Sequence, residues 1–193
     1  MKRFLTILLM ALSVSTFIHP LWAQKGRILM IIAPEGFRDE ELRVPKAFFE
    51  GRGFQVTIAS ATKGEARGML GMRVKPDIEL KEVDVTRYDA VVFVGGVGAQ
   101  RYFSNPEALR IAREAAQAGK VLGAICLAPG ILARAGVLKG KRATVWASEG
   151  KTLKAMGAKY TGRPVEVDGL IVTANGPQAA EVFARQILEL LAK

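Results

Sequence analysis

The sequence predicts an α/β fold: a three-layer α/β/α sandwich around a mainly parallel sheet of the flavodoxin-like kind. Two observations lead to this prediction. First, the segments GRILMIIAP (residues 26–34) and YDAVVFVGG (88–96) are mostly apolar without regular alternation, which is typical of strands buried on both faces. Second, segments with helical caps and helical apolar spacing separate such strands, and strand–helix alternation places helices on both faces of a parallel sheet.

The first half of the chain contains three main strands and one helix by this pattern. A strand over 26–34 is followed by a helix that Asp39 caps, with acidic residues in its first turn. FQVTIAS (54–60) predicts the second strand. The glycine-containing segment 66–80 predicts an excursion of small strands, and 88–96 is the next buried strand.

The second half continues the alternation. Asn105 caps a helix that has Pro106 in its first position and ends at Gly119, and KVLGAI (120–125) predicts the next buried strand. The remaining predicted elements are a helix over 127–136, a strand over 141–147, a short helix over 149–157, two strands over 164–174 joined at Asp168-Gly169, and a final helix over 177–192.

Residues 1–23 have the pattern of a secretory signal peptide. Two basic residues precede an apolar run, and the run closes on small residues near Ala23. We therefore expect cleavage between Ala23 and Gln24, a single domain over 24–193, and an exported protein, periplasmic or extracellular. The apolar run is short and interrupted by hydroxyl side chains, so no stable membrane insertion is expected; an uncleaved N-terminal anchor is the alternative.

Charge and composition exclude several classes of function. The formal net charge is +10, and +8 without the leader, but the basic residues are scattered and no aromatic residues interleave with them, so nucleic acid is not a predicted partner. The one histidine, His19, lies in the leader, and Cys126 is the one cysteine. An intramolecular disulfide and a zinc site of His and Cys ligands are therefore excluded, and no metal or organic cofactor is implied.

Two glycine motifs resemble nucleotide-binding loops but lack a required residue. GGVGAQ has Arg101 where a dinucleotide-binding GxGxxG loop has its third glycine. EGKT matches the end of a phosphate-binding loop, but Val145 stands where the first glycine is needed. Neither motif predicts a nucleotide site.

Cys126 lies where a predicted buried strand ends and a predicted helix begins. Small residues flank it on both sides, which is typical of a nucleophile elbow, a sharp turn that exposes a side chain above the sheet. Backbone N–H groups at the helix start would face the sulfur, favour its thiolate and offer donors to an oxyanion. The alternative is a buried cysteine that only packs.

Three acidic residues, Asp39, Glu40 and Glu41, come at the start of the first helix, beside the same edge of the sheet. A carboxyl near the cysteine would make the elbow a chemical site. The spacing alone does not decide which of the three faces inward.

Four stretches of the chain resemble a known superfamily. They are VFVGGVGA (92–99), AICLAP (124–129), ELRVP (41–45) and VDGLIVTANGP (167–177). Together they are similar to the ThiJ/PfpI (DJ-1-like) superfamily, whose fold is that of class I glutamine amidotransferases. The resemblance extends from Gly26 to Leu191.

The resemblance implies roles for particular residues. Cys126 corresponds to the reactive elbow cysteine of the family. Glu41, four residues before Pro45, corresponds to the glutamate that is typically protonated and hydrogen-bonds the sulfur. Gly95 and Gly96 correspond to a Gly-Gly turn whose amides face the pocket, with the Leu127 N–H as a second donor.

The departures from the family are informative too. Peptidase-like members have a histidine directly after the cysteine, where this chain has Leu127; others bring one from the strand in which the nearest match here is Trp146. A Cys–His dyad therefore cannot form, which argues against a cysteine peptidase. The resemblance instead favours an enzyme that acts on small reactive carbonyls or glycated proteins, of the glyoxalase or deglycase type. A redox-responsive thiol or chaperone without turnover is the alternative, and a homo-oligomer is expected.

Overall fold

The computed structural model describes residues 25–193; the predicted leader over 1–23 lies outside them and stays a prediction. None of the helices within 25–193 is long and apolar enough to cross a membrane. The strands are β1 (Gly26–Ile31), β2 (Glu35–Phe37), β3 (Phe54–Ser60), β4 (Ala66–Gly68), β5 (Arg73–Val74), β6 (Ile78–Glu79), β7 (Ala90–Phe93), β8 (Val121–Ile125), β9 (Arg142–Ala143), β10 (Lys159–Tyr160), β11 (Val165–Asp168) and β12 (Ile171–Ala174). The helices are α1 (Asp39–Glu50), α2 (Pro106–Gln117), α3 (Pro129–Arg134), α4 (Gly150–Ala155) and α5 (Ala180–Leu191).

A seven-stranded sheet in the order β11-β12-β8-β7-β1-β3-β6 forms the middle layer. All neighbouring strands in it are parallel except the β11–β12 hairpin. Helices α1 and α5 pack together, and α2 and α3 form a second pair that packs against β8. The predicted three-layer α/β/α sandwich with a mainly parallel sheet is therefore confirmed.

Burial of the central strands explains their composition. Every residue of β7 and β8 is buried, and β1 is buried over its last four positions. Each large aliphatic side chain that leaves water contributes about 1.5–3 kcal/mol, so these uninterrupted apolar runs are the main source of stability. Leu42 and Phe49 of α1 are also fully buried, which fixes the face of this helix that packs on the protein interior.

Two local signals in the sequence have the expected geometry. The Asn105 side chain accepts a hydrogen bond from the Ala108 N–H at 3.0 Å, with Pro106 in the first turn of α2. The hairpin between β11 and β12 turns at Gly169 and Leu170, and Gly169 has the positive φ of 62° that glycine tolerates. The cap and the hairpin are confirmed, but the turn comes one residue later than the predicted Asp168-Gly169 pair, because Asp168 still pairs with Ile171.

The predicted cap of α1 is wrong. Arg38 occupies the N-cap position without a side-chain hydrogen bond, and Asp39 is the first residue of the helix. The Asp39 carboxylate instead accepts hydrogen bonds from the Leu70 N–H at 2.9 Å and the Met72 N–H at 2.7 Å. It therefore holds the loop between β4 and β5, which together with β2 form a small separate sheet.

The predicted strand over 141–147 is also wrong beyond its start. Within 141–147, only the two residues of β9 form a strand, and β9 pairs with β10 outside the central sheet. The Thr144 N–H donates to the Thr173 side chain at 2.9 Å, and the Trp146 N–H donates to the Cys126 carbonyl at 2.8 Å. Neither bond belongs to a strand ladder of the sheet. The bond to the Cys126 carbonyl places Trp146 beside the elbow.

Candidate active site

Cys126 lies in a sharp turn directly after β8. Its φ is +61°, and no other residue apart from glycine has a positive φ within residues 25–193. This conformation costs an L-residue about 1–2 kcal/mol, so the surrounding structure must hold it. The Cys126 N–H donates to the Ala174 carbonyl at 2.9 Å, and its carbonyl accepts from Trp146. The turn has the geometry expected of a nucleophile elbow.

Gly95, at the end of the neighbouring strand β7, leaves room for this turn. A Cβ atom at Gly95 would lie 2.5 Å from the Cβ of Cys126 and 2.6 Å from the Oε2 atom of Glu41. Real Cβ atoms do not approach other atoms so closely. The absence of a side chain at this position therefore allows the thiol and the carboxyl to meet.

The three acidic residues at the start of α1 have three different surroundings. Asp39 binds the backbone of the β4–β5 loop, as described above. Glu40 forms a two-pronged ion pair with the side chain of Arg38, with N–O distances of 2.7 and 3.0 Å. Glu41 has no exposed surface and lies beside Cys126, since a Cβ atom at Gly95 would come within 2.6 Å of both side chains. Glu41 is therefore the inward-facing acid, the choice that spacing alone left open.

Glu41 is buried with few partners for its charge. Its Oε2 atom accepts a hydrogen bond from the Gly95 N–H at 3.1 Å, and its Oε1 atom has no hydrogen-bond partner within the described chain. Burial raises the pKa of Glu41 from its ordinary value of 4.5 to about 7, although the Cys126 thiol and the Gly95 N–H partly oppose the rise. Protonated and ionised forms of this carboxyl therefore coexist near neutral pH.

The thiol of Cys126 is 8% exposed and does not have the acidity expected from its place at a helix start. Burial, followed by the charge of Glu41, raises the pKa of Cys126 to about 12. The backbone N–H groups of Gly96 and Leu127 lower the pKa of the thiol, the direction that the sequence predicts, and only partly oppose this rise. The loss of water outweighs these two groups, and α3 has only six residues.

The predicted backbone donors divide into two kinds. The N–H of Gly95 is bound to Glu41, so it supports the carboxyl and is not free to hold an oxyanion. The N–H groups of Gly96 and Leu127 lie near enough to the sulfur to lower its pKa. Gly96 has a φ of 93° and lies so close to the backbone of Gly36 and Arg38 that a side chain there would overlap it. The catalytic roles of these residues stay a prediction.

A cavity of about 240 Å³ opens above the thiol. No group of three or more His, Cys, Asp or Glu side chains in residues 25–193 is arranged to hold a metal. The sequence analysis did not predict most of the residues that line the cavity. The signals that could have indicated them are the ends of the parallel strands and the Gly176-Pro177 pair before α5. Besides the predicted Glu41, Gly96, Cys126 and Leu127, the cavity is lined by Arg38, Met69, Val97, Trp146, Pro177 and Gln178.

Comparison with known proteins identifies relatives of this chain. A sequence profile of the DJ-1/PfpI family matches residues 26–190. An uncharacterized protein of Methanocaldococcus jannaschii is 43% identical over 173 residues, which cover 88% of this chain and 84% of that protein. The deglycase PfpI of Pyrococcus furiosus is 36% identical over 165 residues, which cover 86% of this chain and 99% of the enzyme. The glutathione-independent glyoxalase DJR-1.2 of Caenorhabditis elegans is 28% identical over 169 residues, 88% of this chain and 90% of that protein.

A solved structure agrees with this result. The ThiJ/PfpI domain protein from Brachyspira murdochii matches with a TM-score of 0.84 and 31% identity, over 86% of this chain and 96% of that chain. The resemblance seen in the four sequence stretches is thereby confirmed. With a profile match over nearly all of the described residues and a relative of the same architecture, the chain belongs to the DJ-1/PfpI family.

Proposed function

We propose that this protein is an enzyme of the glyoxalase or deglycase type that converts small α-oxoaldehydes, such as methylglyoxal, or their protein adducts. The observation that carries the proposal is that the Cys126 thiol and the Glu41 carboxyl lie side by side at the base of an open cavity, where a Cβ atom at Gly95 would overlap both side chains. The pKa of Glu41, about 7, suits a group that both takes and gives protons at neutral pH. The names of two relatives, a deglycase and a glyoxalase, support the reaction class.

The first step is addition of the thiol to the aldehyde carbon. A pKa of about 12 means that Cys126 rests as a thiol, so a base must remove its proton as the carbon–sulfur bond forms. Ionised Glu41 lies beside the thiol and takes that proton. The aldehyde oxygen becomes an oxyanion, for which the Gly96 and Leu127 N–H groups are the available donors, and Glu41 returns the proton to give a hemithioacetal.

The second step is an isomerisation that Glu41 also carries. The carboxylate removes the hydrogen from the former aldehyde carbon, which gives an enediol, and returns it to the adjacent carbon. One proton passes between the two oxygens, and the product is a 2-hydroxyacyl thioester of Cys126. Water then hydrolyses the thioester, which releases the 2-hydroxy acid and restores the thiol. No external oxidant, reductant or cofactor is needed, because the substrate is oxidised at one carbon and reduced at the next.

The two other hypotheses have less support. Residues 24–193 contain no histidine, so a peptidase of the Cys–His type lacks its base. A redox-responsive role rests on an acidic, accessible thiol, whereas Cys126 is 8% exposed with a raised pKa.

The test is direct conversion of methylglyoxal to lactate by the purified protein without glutathione. We expect lactate to form in step with loss of the aldehyde, and Cys126→Ala to abolish it. A preformed methylglyoxal adduct of N-acetylarginine, freed of excess aldehyde, tests whether adducts are substrates as well. If the folded protein consumes no aldehyde and releases no lactate from either compound, the proposed function is wrong.

A further inference from the structure

The cavity above Cys126 is larger than a three-carbon substrate requires. Its volume is about 240 Å³, whereas a closed apolar cavity of roughly 150 Å³ accommodates a benzene ring. Methylglyoxal, with five heavy atoms, therefore leaves space for a further group of about the size of a ring.

The wall around this space is apolar. Seven large apolar side chains are exposed within residues 25–193, and three of them, Met69, Val97 and Trp146, line this one cavity. Their exposed fractions are 43%, 57% and 45%. A folded protein gains by burying such groups, so this concentration at one opening indicates a surface that is covered when the site is occupied.

The ring of Trp146 and the backbone of the loop that carries Met69 are held by their surroundings. The ring of Trp146 packs against Gly176, where a Cβ atom would lie 3.0 Å from its Cζ3 atom. The loop that carries Met69 is held by two hydrogen bonds to the Asp39 carboxylate and by the Met69 N–H, which donates to the Phe37 carbonyl at 2.8 Å. A preorganised apolar wall binds an apolar group without a large ordering cost.

Charge favours a neutral substrate over an anionic one. Arg38 is the only cationic side chain among the residues that line the cavity. Its Nε and Nη2 atoms are already bound to the Glu40 carboxylate. Ionised Glu41 at the base of the cavity would repel a second negative charge.

We propose that the preferred substrates are uncharged α-oxoaldehydes with a bulky apolar or aromatic substituent, which lies against Trp146, Met69 and Val97. The proposal rests on the proposed function, because it names the substrate class of the same site. Trp146 is then a specificity-determining residue that contacts the substituent. In the sequence analysis, Trp146 was named only because other members of the family bring a histidine from this strand.

The test compares two aldehydes that differ only in the substituent. We expect kcat/KM for phenylglyoxal to exceed that for methylglyoxal, and Trp146→Ala to lower the phenylglyoxal value about tenfold while changing the methylglyoxal value by less than twofold. Trp146→Phe, which keeps a ring, restores most of the difference. Val182→Ala is the matched control, since Val182 is 48% exposed on α5 and does not line the cavity. If Trp146→Ala lowers kcat/KM equally for both aldehydes, Trp146 does not contact the substituent and the assignment is wrong.

A second measurement does not depend on turnover. Cys126 is alkylated with iodoacetamide and with iodoacetanilide, its phenyl analogue, and the ratio of the two rates is divided by that for free cysteine. A normalised ratio above one that falls to one in Trp146→Ala supports the apolar subsite, even if neither aldehyde is converted and the proposed function fails. If both aldehydes are converted equally and the ratio equals that of free cysteine, the proposed function stands and this inference is overturned.

Discussion

Two buried glutamates, Glu41 on α1 and Glu166 on β11, have different roles in this protein although their side chains are the same. Their exposed fractions are 0% and 5%. Glu166 has Arg142 at 3.0 Å and Arg163 at 3.8 Å, so the charge is paired. Glu41 has no ion-pair partner within 4.0 Å in the described chain; it accepts one hydrogen bond from the Gly95 N–H and lies beside the Cys126 thiol.

The comparison teaches that the partner, more than burial itself, decides what a buried carboxyl does. A charge removed from water is costly unless an opposite charge or several donors replace the water. Two arginines do this at Glu166, and the result is an ion-pair cluster at the edge of the sheet. Glu41 lacks this compensation, so its pKa rises to about 7. At neutral pH a carboxyl with this pKa can exchange a proton with a substrate.

The largest expected difference between the two residues is in activity. We expect Glu41→Gln to lower kcat/KM for methylglyoxal by about 10²- to 10⁴-fold, because general acid–base catalysis contributes that much. Glutamine keeps the shape of the side chain but cannot take the Cys126 proton. Steady-state kinetics with lactate as the measured product tests this.

Glu166→Gln is the matched control, since it makes the same chemical change at a buried site away from the cavity. We expect its kcat/KM to stay within twofold of the parent protein. If both variants lose activity to the same degree, the distinction between the two glutamates is incorrect.

The next effect is in the pH dependence of stability. Glu41 has a higher pKa in the folded protein, about 7, than its ordinary value of 4.5, so between these values the folded state binds more protons than the unfolded state. The free energy of unfolding therefore falls as the pH rises from 4.5 to about 7. The loss is about 3 kcal/mol for a shift of this size.

Urea unfolding of the parent protein and Glu41→Gln at pH 5 and pH 8 measures this effect. We expect the glutamine variant to gain stability relative to the parent at pH 8 but not at pH 5. The same relative stability at both pH values would mean that Glu41 does not titrate as the structure indicates.

The smallest expected effect is the loss of the ion pairs at Glu166. We expect Glu166→Gln to lower the free energy of unfolding by about 1–2 kcal/mol at pH 7, because hydrogen bonds to charged groups are lost. The effect stays below that of a fully buried pair because the side chains of Arg142 and Arg163 are more than half exposed and can return to water. Urea midpoints check this, and an unchanged midpoint would show that the pairs contribute nothing.

Several features of this protein follow from the sequence alone. Apolar runs such as 88–96 and 120–125 favour strands buried on both faces, and such strands are typical of a parallel sheet. The small residues around Cys126 predict a turn that larger residues would not allow, and the cap at Asn105 uses only neighbouring atoms. These signals are local or periodic, so they can be recognised without knowledge of the rest of the chain.

The family resemblance named Cys126 and Glu41, but only the tertiary structure decided the surroundings that set their chemistry. Successive helical residues point about 100° apart, so which of Asp39, Glu40 and Glu41 faces Cys126 depends on how α1 docks, and the burial of Leu42 and Phe49 fixes that docking. The raised pKa of the thiol likewise reflects the water excluded by several elements together. Trp146 reaches the cavity because its segment leaves the strand and bonds to the elbow carbonyl. Such properties depend on residues far apart in the chain, whose distances no local pattern encodes.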